Sequence, residues 1–216
     1  MQLKADLHVH TTYSSDSLIT PKDLVFYAKQ RGLNAVAVTD HNQVEGALKI
    51  ATGIDFLIIP GTEVSSADGH VVGLNVCEAI PRGLRADETV DRIHAAGGIA
   101  IACHPYALFK GSVGKSISAK FDAIEVINAS AMPFKRSIRK ARAAAERFGL
   151  PQVAGTDAHY GQQIGYAYTS IDAEPNVEAV TEAIVRGRCQ PHGEPVPLML
   201  KIAKQFQYYK RKIAMS

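Results

Sequence analysis

The sequence predicts an α/β fold of about seven consecutive β/α units, enough to close or nearly close a barrel. Short apolar runs with strand character alternate with helical segments along nearly the whole chain of 216 residues. Several runs, such as residues 35–38 and 56–60, are apolar throughout, which is typical of strands covered on both faces and predicts a parallel sheet flanked by helices. No glycine-rich phosphate motif follows the first strand, which disfavours the alternative, an open doubly wound sheet.

Each predicted element has a local reason. The predicted strands follow the apolar runs and span residues 3–9, 35–39, 56–60, 71–76, 99–103, 123–127 and 152–154. The first helix starts at Thr20-Pro21, an N-cap followed by proline at the first helical position, and ends at Gly32. Further helices are predicted at residues 87–96, 133–148 and 176–185, each followed by a glycine stop. The strand at 71–76 is expected to be joined without a full helix.

The end of the chain differs from the rest in composition. Residues 1–189 are predicted to form the barrel domain, and residues 190–216 a linker followed by a basic amphipathic helix. The linker is predicted at residues 190–195, and five Lys or Arg with no acid follow from Lys201 to the end. We expect this helix to pack its apolar face on the barrel. An alternative is that its interleaved cations and aromatics hold a nucleic-acid strand.

Bulk composition narrows the class of protein. Apolar residues make up 46% and charged residues 21%, as in a soluble globular domain. The three cysteines are far apart and form no CxxC pair, which argues against a disulfide framework and a cysteine-type zinc site and favours the cytoplasm. No apolar run approaches the roughly 18 residues of a membrane span, so no membrane contact is expected. The net charge of +3 is too small to predict nucleic-acid binding by itself.

Imidazoles and carboxylates recur where the predicted strands end. Nine such residues lie at or just beyond strand ends: His8, His10, Asp16, Asp40, His41, Glu63, His104, Asp157 and His159. The carboxyl ends of barrel strands meet at one face, where β/α barrels place their active sites. Nitrogen and oxygen ligands suit zinc, manganese or iron, and nine ligands are too many for one ion. A lone His-x-His is common by chance, but this conjunction predicts a site for two or three divalent ions.

These motifs resemble one known family. Asp6-Leu7-His8-Val9-His10, Thr39-Asp40-His41, Gly61-Thr62-Glu63, Cys103-His104-Pro105 and Gly155-Thr156-Asp157-Ala158-His159 closely resemble the PHP (polymerase and histidinol phosphatase) family over residues 3–188. The resemblance implies a distorted (β/α)7 TIM-like barrel, here with a C-terminal helical tail. It also implies a trinuclear metal site that hydrolyses phosphate esters.

The resemblance adds His70 and distributes the ligands over three ions. One ion would be held by His8, His10, Glu63 and Asp157. A second ion, bridged by Glu63, would also be held by His70 and His104. A third would be held by Asp16, His41 and His159. Asp16 departs from family members that have histidine there, and Asp40 is expected to orient a neighbouring imidazole. Cys103 is expected to be buried, inert and turned away from His104.

The predicted function is that of a metal-dependent phosphoesterase in which a metal-bound hydroxide attacks phosphorus and no protein nucleophile is needed. The substrate would be a small phosphorylated metabolite, a nucleotide or a nucleic-acid end. Its phosphate would be held by cations after strand ends, with Lys110, Arg136 and Arg139 as candidates. One alternative is a metal-retaining module that binds nucleic acid or a partner without strong catalysis. A metal-dependent amidohydrolase also shares the first His-x-His, but Glu63 with His104-Pro105 fits the phosphoesterase better.

Overall fold

The structure is a computed structural model that describes residues 1–214, which form nine strands and six helices. The strands are β1 Gln2–Val9, β2 Ala35–Val38, β3 Leu57–Ser66, β4 Gly69–Leu74, β5 Ile99–Ala102, β6 Ala123–Asn128, β7 Gln152–Gly155, β8 Ala167–Asp172 and β9 Cys189–Gly193. The helices are α1 Pro21–Gln30, α2 Glu45–Gly53, α3 Ala86–Ala95, α4 Phe134–Phe148, α5 Val177–Val185 and α6 Leu198–Ala214. None of these helices is long and apolar enough to cross a membrane.

The strands form the nearly closed barrel that the sequence predicts. Their order is β7-β6-β5-β4-β3-β2-β1-β8-β9, so β1 to β7 follow one another around the wall. The edge of β1 opposite β2 is shared: β8 pairs with its first half, and Ala158, just after β7, bridges to Val9 at its end. Two backbone hydrogen bonds complete this closure, from His10 N to Ala158 O at 2.9 Å and from Asp157 N to His8 O at 2.8 Å.

The strands are not all parallel, although the sequence predicted a parallel sheet. β4 runs antiparallel to both β3 and β5, because a two-residue hairpin loop joins Ser66 to Gly69 in place of a helix. β8 runs antiparallel to β1 and to β9. The linker predicted at residues 190–195 is therefore wrong in part, since Cys189–Gly193 forms a strand. The α1 start is confirmed: Thr20 Oγ1 accepts from Asp23 N, and Pro21 opens the helix.

Apolar side chains from every barrel strand fill the interior beneath the strand ends. This cluster includes Leu7, Ile59, Val72, Ile101 and Val153, together with the buried face of α5. Burial of such side chains stabilises the fold by roughly 1.5–3 kcal/mol each. Next to this packed interior, polar side chains gather at the carboxyl ends of the strands.

The C-terminal helix packs on the barrel mainly by its polar face, whereas the sequence predicted packing by its apolar face. The half-buried side of α6 carries Leu200, Lys201, Lys204, Tyr208 and Arg211, whereas most of its large apolar residues are exposed, among them Leu198, Met199, Ile202 and Phe206. Arg211 Nη1 donates to Ser17 O at 2.8 Å, and Lys201 Nζ lies 3.5 Å from Ser130 O. The expectation of an apolar packing face is wrong because α6 lies against a barrel end lined with carboxylates and carbonyls, which attract its cations.

Candidate metal centre

Glu63 lies at the centre of the polar cluster at the strand ends. It is 1% exposed, and imidazoles surround both of its carboxylate oxygens. Oε1 is 2.8 Å from His70 Nδ1 and 2.8 Å from His104 Nε2, and Oε2 is 3.1 Å from His41 Nδ1, 3.2 Å from His10 Nε2 and 3.5 Å from His8 Nε2. A single carboxylate shared in this way can bridge two cations.

Two further carboxylates extend the cluster. Asp157 Oδ1 lies 3.5 Å from His10 Nε2 and 3.6 Å from His159 Nδ1. Asp16 Oδ2 lies 3.0 Å from His159 Nε2 and 3.5 Å from His41 Nε2. The structure thus brings all nine ligands proposed from the sequence and the resemblance into one continuous cluster, although they come from six strand ends and a loop.

His70 joins the cluster through the β3–β4 hairpin. It pairs with Ser65, two residues from Glu63 on the neighbouring strand, so both side chains project from the same face of the sheet. Spacing along the chain did not identify His70, because the sequence placed it before a strand. The Asp68-Gly69 pair between two apolar runs is a turn pattern that could have indicated the hairpin.

The cluster fits a set of divalent ions by the chemistry of its unpaired atoms. Among the residues that the structure describes, buried ring nitrogens of His8, His10 and His104 and the Oδ1 atom of Asp16 have no hydrogen-bond partner. An unsatisfied buried polar group costs about 1–3 kcal/mol, so native proteins keep few of them. A cation that accepts these lone pairs removes that cost. Inorganic cations with nitrogen and oxygen ligands therefore suit the site.

Candidate ligand atoms approach one another closely enough to share ions. The atoms of each of four groups lie within 4.8 Å of one another: His8 with His10 and Glu63, His41 with Glu63 and His70, His10 with His41 and His159, and His8 with Cys103 and His104. Glu63 belongs to two of the groups. This overlap is what a bridging carboxylate between neighbouring ions requires.

Cys103 faces the cluster, and the expectation that it turns away is wrong. Its Sγ lies 3.6 Å from Glu63 Oε1 and 3.3 Å from His70 O. Strand alternation fails here because β5 ends at Ala102 and His104 has a φ of +32°, so the backbone leaves the extended conformation. The thiol is fully buried, as expected, and burial raises its pKa well above the usual value.

Asp157 shares this unusual backbone with His104. Its φ is +57°, in the left-handed region that non-glycine residues seldom adopt. Such strain persists where the surrounding structure enforces it, and it clusters at functional sites. At both residues the backbone turn allows neighbouring side chains to reach the same pocket.

Asp40 does not orient an imidazole, contrary to expectation. Its carboxylate accepts from Thr11 N and from Thr11 Oγ1, both at 2.6 Å. Asp40 therefore fixes the loop that begins directly after His10. The physical reason is that the segment after β1 passes beside the end of β2, where Thr11 supplies two donors.

Glu125 on β6 supports the cluster from below, and sequence reasoning missed it. Its carboxylate is 3.1 Å from His8 Nδ1 and accepts from His104 N at 2.7 Å. The neighbouring Gly155 is required here, because an added Cβ would lie 2.5 Å from His8 Cβ and 2.7 Å from Glu125 Oε1. A lone acid within the fully buried strand Ala123–Asn128 could have indicated this role, since buried acids are rare unless partnered.

Two carboxylates of the cluster are held ionised, and one of its imidazoles is held neutral. Although burial opposes ionisation, the His8 imidazole and the hydrogen bonds from other imidazoles hold the pKa of Glu63 well below its usual value. Burial also opposes ionisation of Asp157, yet Lys110 and His8 hold its pKa well below the usual range. Burial, with His10 nearby, lowers the pKa of His159 to about 4 and keeps that imidazole neutral, the form that binds metals.

The cluster opens into a cleft of about 230 Å³. Besides seven of the nine ligands it is lined by Phe109, Lys110 and Lys204. Lys110, which the sequence suggested as a phosphate-binding residue, forms an ion pair with Asp157 through Nζ and Oδ2 and so lies beside the candidate metal ligands. Arg136 and Arg139 are exposed on α4 and do not belong to the described lining of this cleft. Lys204 was missed, because the sequence does not show which face of α6 meets the barrel.

Comparison with known proteins supports the resemblance. The model of the PHP domain matches residues 6–121, and that of the PHP-associated region matches residues 135–189. The chain is 36% identical over 141 residues to protein MJ1587 of Methanocaldococcus jannaschii, covering 59% of this chain and 82% of that protein. It is 30% identical over 164 residues to a 5′-3′ exoribonuclease of Haemophilus influenzae, covering 67% of this chain and 60% of the relative.

A solved structure supports the fold. A two-domain protein of Bacteroides vulgatus, described as containing a predicted PHP-like metal-dependent phosphoesterase, superposes with a TM-score of 0.70 at 20% identity. The match covers 90% of this chain and 65% of that chain. At this level of identity the similarity establishes the shared fold, a distorted TIM-like barrel.

Proposed function

Because the chain belongs to the PHP family, we propose that it is a metal-dependent phosphoesterase that hydrolyses a phosphate ester with two or three bound zinc, manganese or iron ions. The observation that carries the proposal is the Glu63 carboxylate, which five imidazoles contact and which belongs to two groups of candidate ligands.

The ions would be held as the resemblance implies. His8, His10, Glu63 and Asp157 would hold one, and Glu63, His70 and His104 a second. Asp16, His41 and His159 would hold a third, and the partial exposure of the Asp16 side chain leaves this last position the most open to solvent. Bound divalent ions supply Lewis acidity that activates water and stabilises charge on the phosphoryl group.

The chain's own residues contribute orientation and charge. Glu125 accepts from His8 Nδ1 and so directs Nε2 toward the cluster. Lys110 places its ammonium beside Asp157 in the lining of the cleft, where it could contact a phosphate oxygen. The cleft of about 230 Å³ suits a terminal phosphate with part of its leaving group better than a phosphate within a duplex. A small phosphorylated metabolite, a nucleotide or a nucleic-acid end fits this description, and the similar exoribonuclease supports the last.

The proposal is tested with the purified full chain, stripped by a chelator and reloaded with Zn²⁺, Mn²⁺ or Fe²⁺. We expect hydrolysis of 4-nitrophenyl phosphate or of a 5′-phosphorylated oligonucleotide that depends on one of these ions. Elemental analysis should find two or three ions per chain. Absence of turnover on both substrates with every ion would reject the proposed activity, whatever the metal content.

Glu125 provides a separate prediction about metal affinity. We expect Glu125→Gln to weaken the affinity for Zn²⁺ or Mn²⁺ by about 10- to 100-fold, because the amide no longer holds the His8 ring with a charged acceptor. Competition with a chromogenic chelator measures this, and circular dichroism checks that the fold is intact. Glu178→Gln, an exposed change on α5, is the control and should leave the affinity unaltered. Equal affinities in Glu125→Gln and the wild type would show that Glu125 does not support the metal ligands.

A further inference from the structure

Helix α6 places cations at the mouth of the cleft. Lys204 lines the cleft together with Asp16, Asp157 and His159. Lys201 lies one turn earlier on the same face, with Nζ 3.5 Å from Ser130 O. Arg211, two turns beyond Lys204, binds Ser17 O and fixes this face of the helix against the barrel.

Neither lysine has a carboxylate partner. Within residues 1–214, no carboxylate oxygen lies within 4.0 Å of the Nζ atom of Lys201 or Lys204, whereas Lys110, Lys49 and Lys120 all form ion pairs. Both side chains are half-buried, and burial lowers the pKa of each ammonium. Asp157 and Asp16 attract these cations only from beyond ion-pair distance, so each partly buried ammonium can still accept an anionic ligand in direct contact.

An anion at Lys204 would also face the metal cluster, because both border the same cleft. We propose that Lys204, with Lys201 beside it, forms an anion subsite on α6 that holds phosphate oxygens of the substrate that the metal ions do not bind. This inference rests on the proposed phosphoesterase activity and assigns α6 to the substrate site. The anion is either a free oxygen of the reacting phosphate or a neighbouring phosphate of the same substrate.

The test is Lys204→Gln in the full metal-loaded chain, assayed with 4-nitrophenyl phosphate and with 5′-phosphorylated dithymidylate. We expect KM to rise about tenfold, the size of one lost charge-assisted hydrogen bond, while kcat stays within about twofold. A rise with both substrates places the reacting phosphate at Lys204, and a rise with the dinucleotide alone places the neighbouring phosphate there. Lys204→Arg should restore most of the affinity, and Lys201→Gln should give a smaller effect in the same direction.

The matched control is Lys210→Gln, the same charge change on the exposed face of α6. Unchanged KM for both substrates in Lys204→Gln, or an equal rise in Lys210→Gln, would overturn the subsite.

If the wild type turns over neither substrate, the proposed function fails separately. Calorimetric binding of inorganic phosphate to the metal-loaded protein then tests the subsite. Weaker binding by Lys204→Gln supports the subsite, and equal binding by Lys204→Gln and the wild type rejects it.

Discussion

Replacing Glu63 with Gln is expected to lower phosphoesterase activity by about a thousandfold or more and to reduce the number of bound ions. The change keeps the size of the side chain but removes the charge that five imidazoles contact. It also places an amide N–H₂ among those imidazoles, and this group cannot bind a cation. Loss of a residue that only orients a ligand costs about 10- to 100-fold, so loss of a shared ligand should cost more.

Metal content measured by elemental analysis and kcat/KM measured with each ion test this expectation. Glu78→Gln is the matched control, since Glu78 is exposed in the loop after β4, and it should behave as the wild type. Thermal unfolding of the metal-free proteins separates a catalytic loss from a folding defect. Near-normal activity in a folded Glu63→Gln variant that retains its full metal content would remove Glu63 from the centre of the mechanism.

The sequence predicts the cluster well because strand topology determines most of it. His8 and His10 lie two apart at the end of β1, so strand alternation places them on one face. His41, His104 and Asp157 follow directly on buried strands, and a barrel brings such ends together. Only His70 required the family resemblance, because its position depends on a hairpin that replaces a helix.

The errors concern features that depend on tertiary contacts. Cys103 enters the cluster only because the backbone at His104 adopts a positive φ, which no residue pattern indicates. Lys204 reaches the cleft because α6 docks by its cations, whereas its spacing of apolar residues predicted the reverse. Burial of apolar surface is the usual guide to helix orientation, and here the carboxylates at the barrel mouth override it.

The two strands that the sequence missed have a common explanation. β8 and β9 both contain polar residues, and in β8 Thr169 and Ser170 are buried among apolar neighbours. Polar residues within a strand interrupt the apolar run by which a strand is recognised in a sequence. The Thr169 hydroxyl is hydrogen-bonded to the backbone of Ala154 on β7. This contact can be tested as an anchor of the seam between β7 and β8.

We expect Thr169→Val to destabilise the fold by roughly 2–3 kcal/mol. No backbone ladder joins β7 to β8 in the described part of the chain. Instead, Thr169 Oγ1 accepts from Ala154 N at 2.8 Å and donates to Ala154 O at 3.0 Å. Valine has nearly the same shape but leaves both backbone groups of Ala154 unsatisfied in a fully buried seam.

Urea unfolding measures the loss, and Thr52→Val, at an exposed helical position, should change stability little. An unchanged urea midpoint in Thr169→Val would show that the hydroxyl is not an anchor.

Thr156 forms the reciprocal contact, and it predicts how the two anchors combine. Its Oγ1 accepts from Ala167 N at 3.0 Å and donates to Ala167 O at 3.1 Å, so Thr156, directly after β7, binds β8 as Thr169 on β8 binds β7. Neighbouring sites often combine non-additively. Once Thr169 is lost, water can enter the seam and solvate the groups that Thr156→Val would release. The double variant should therefore lose less stability than the sum of the two single variants. Full additivity would mean that the seam stays dry and that each hydroxyl acts alone.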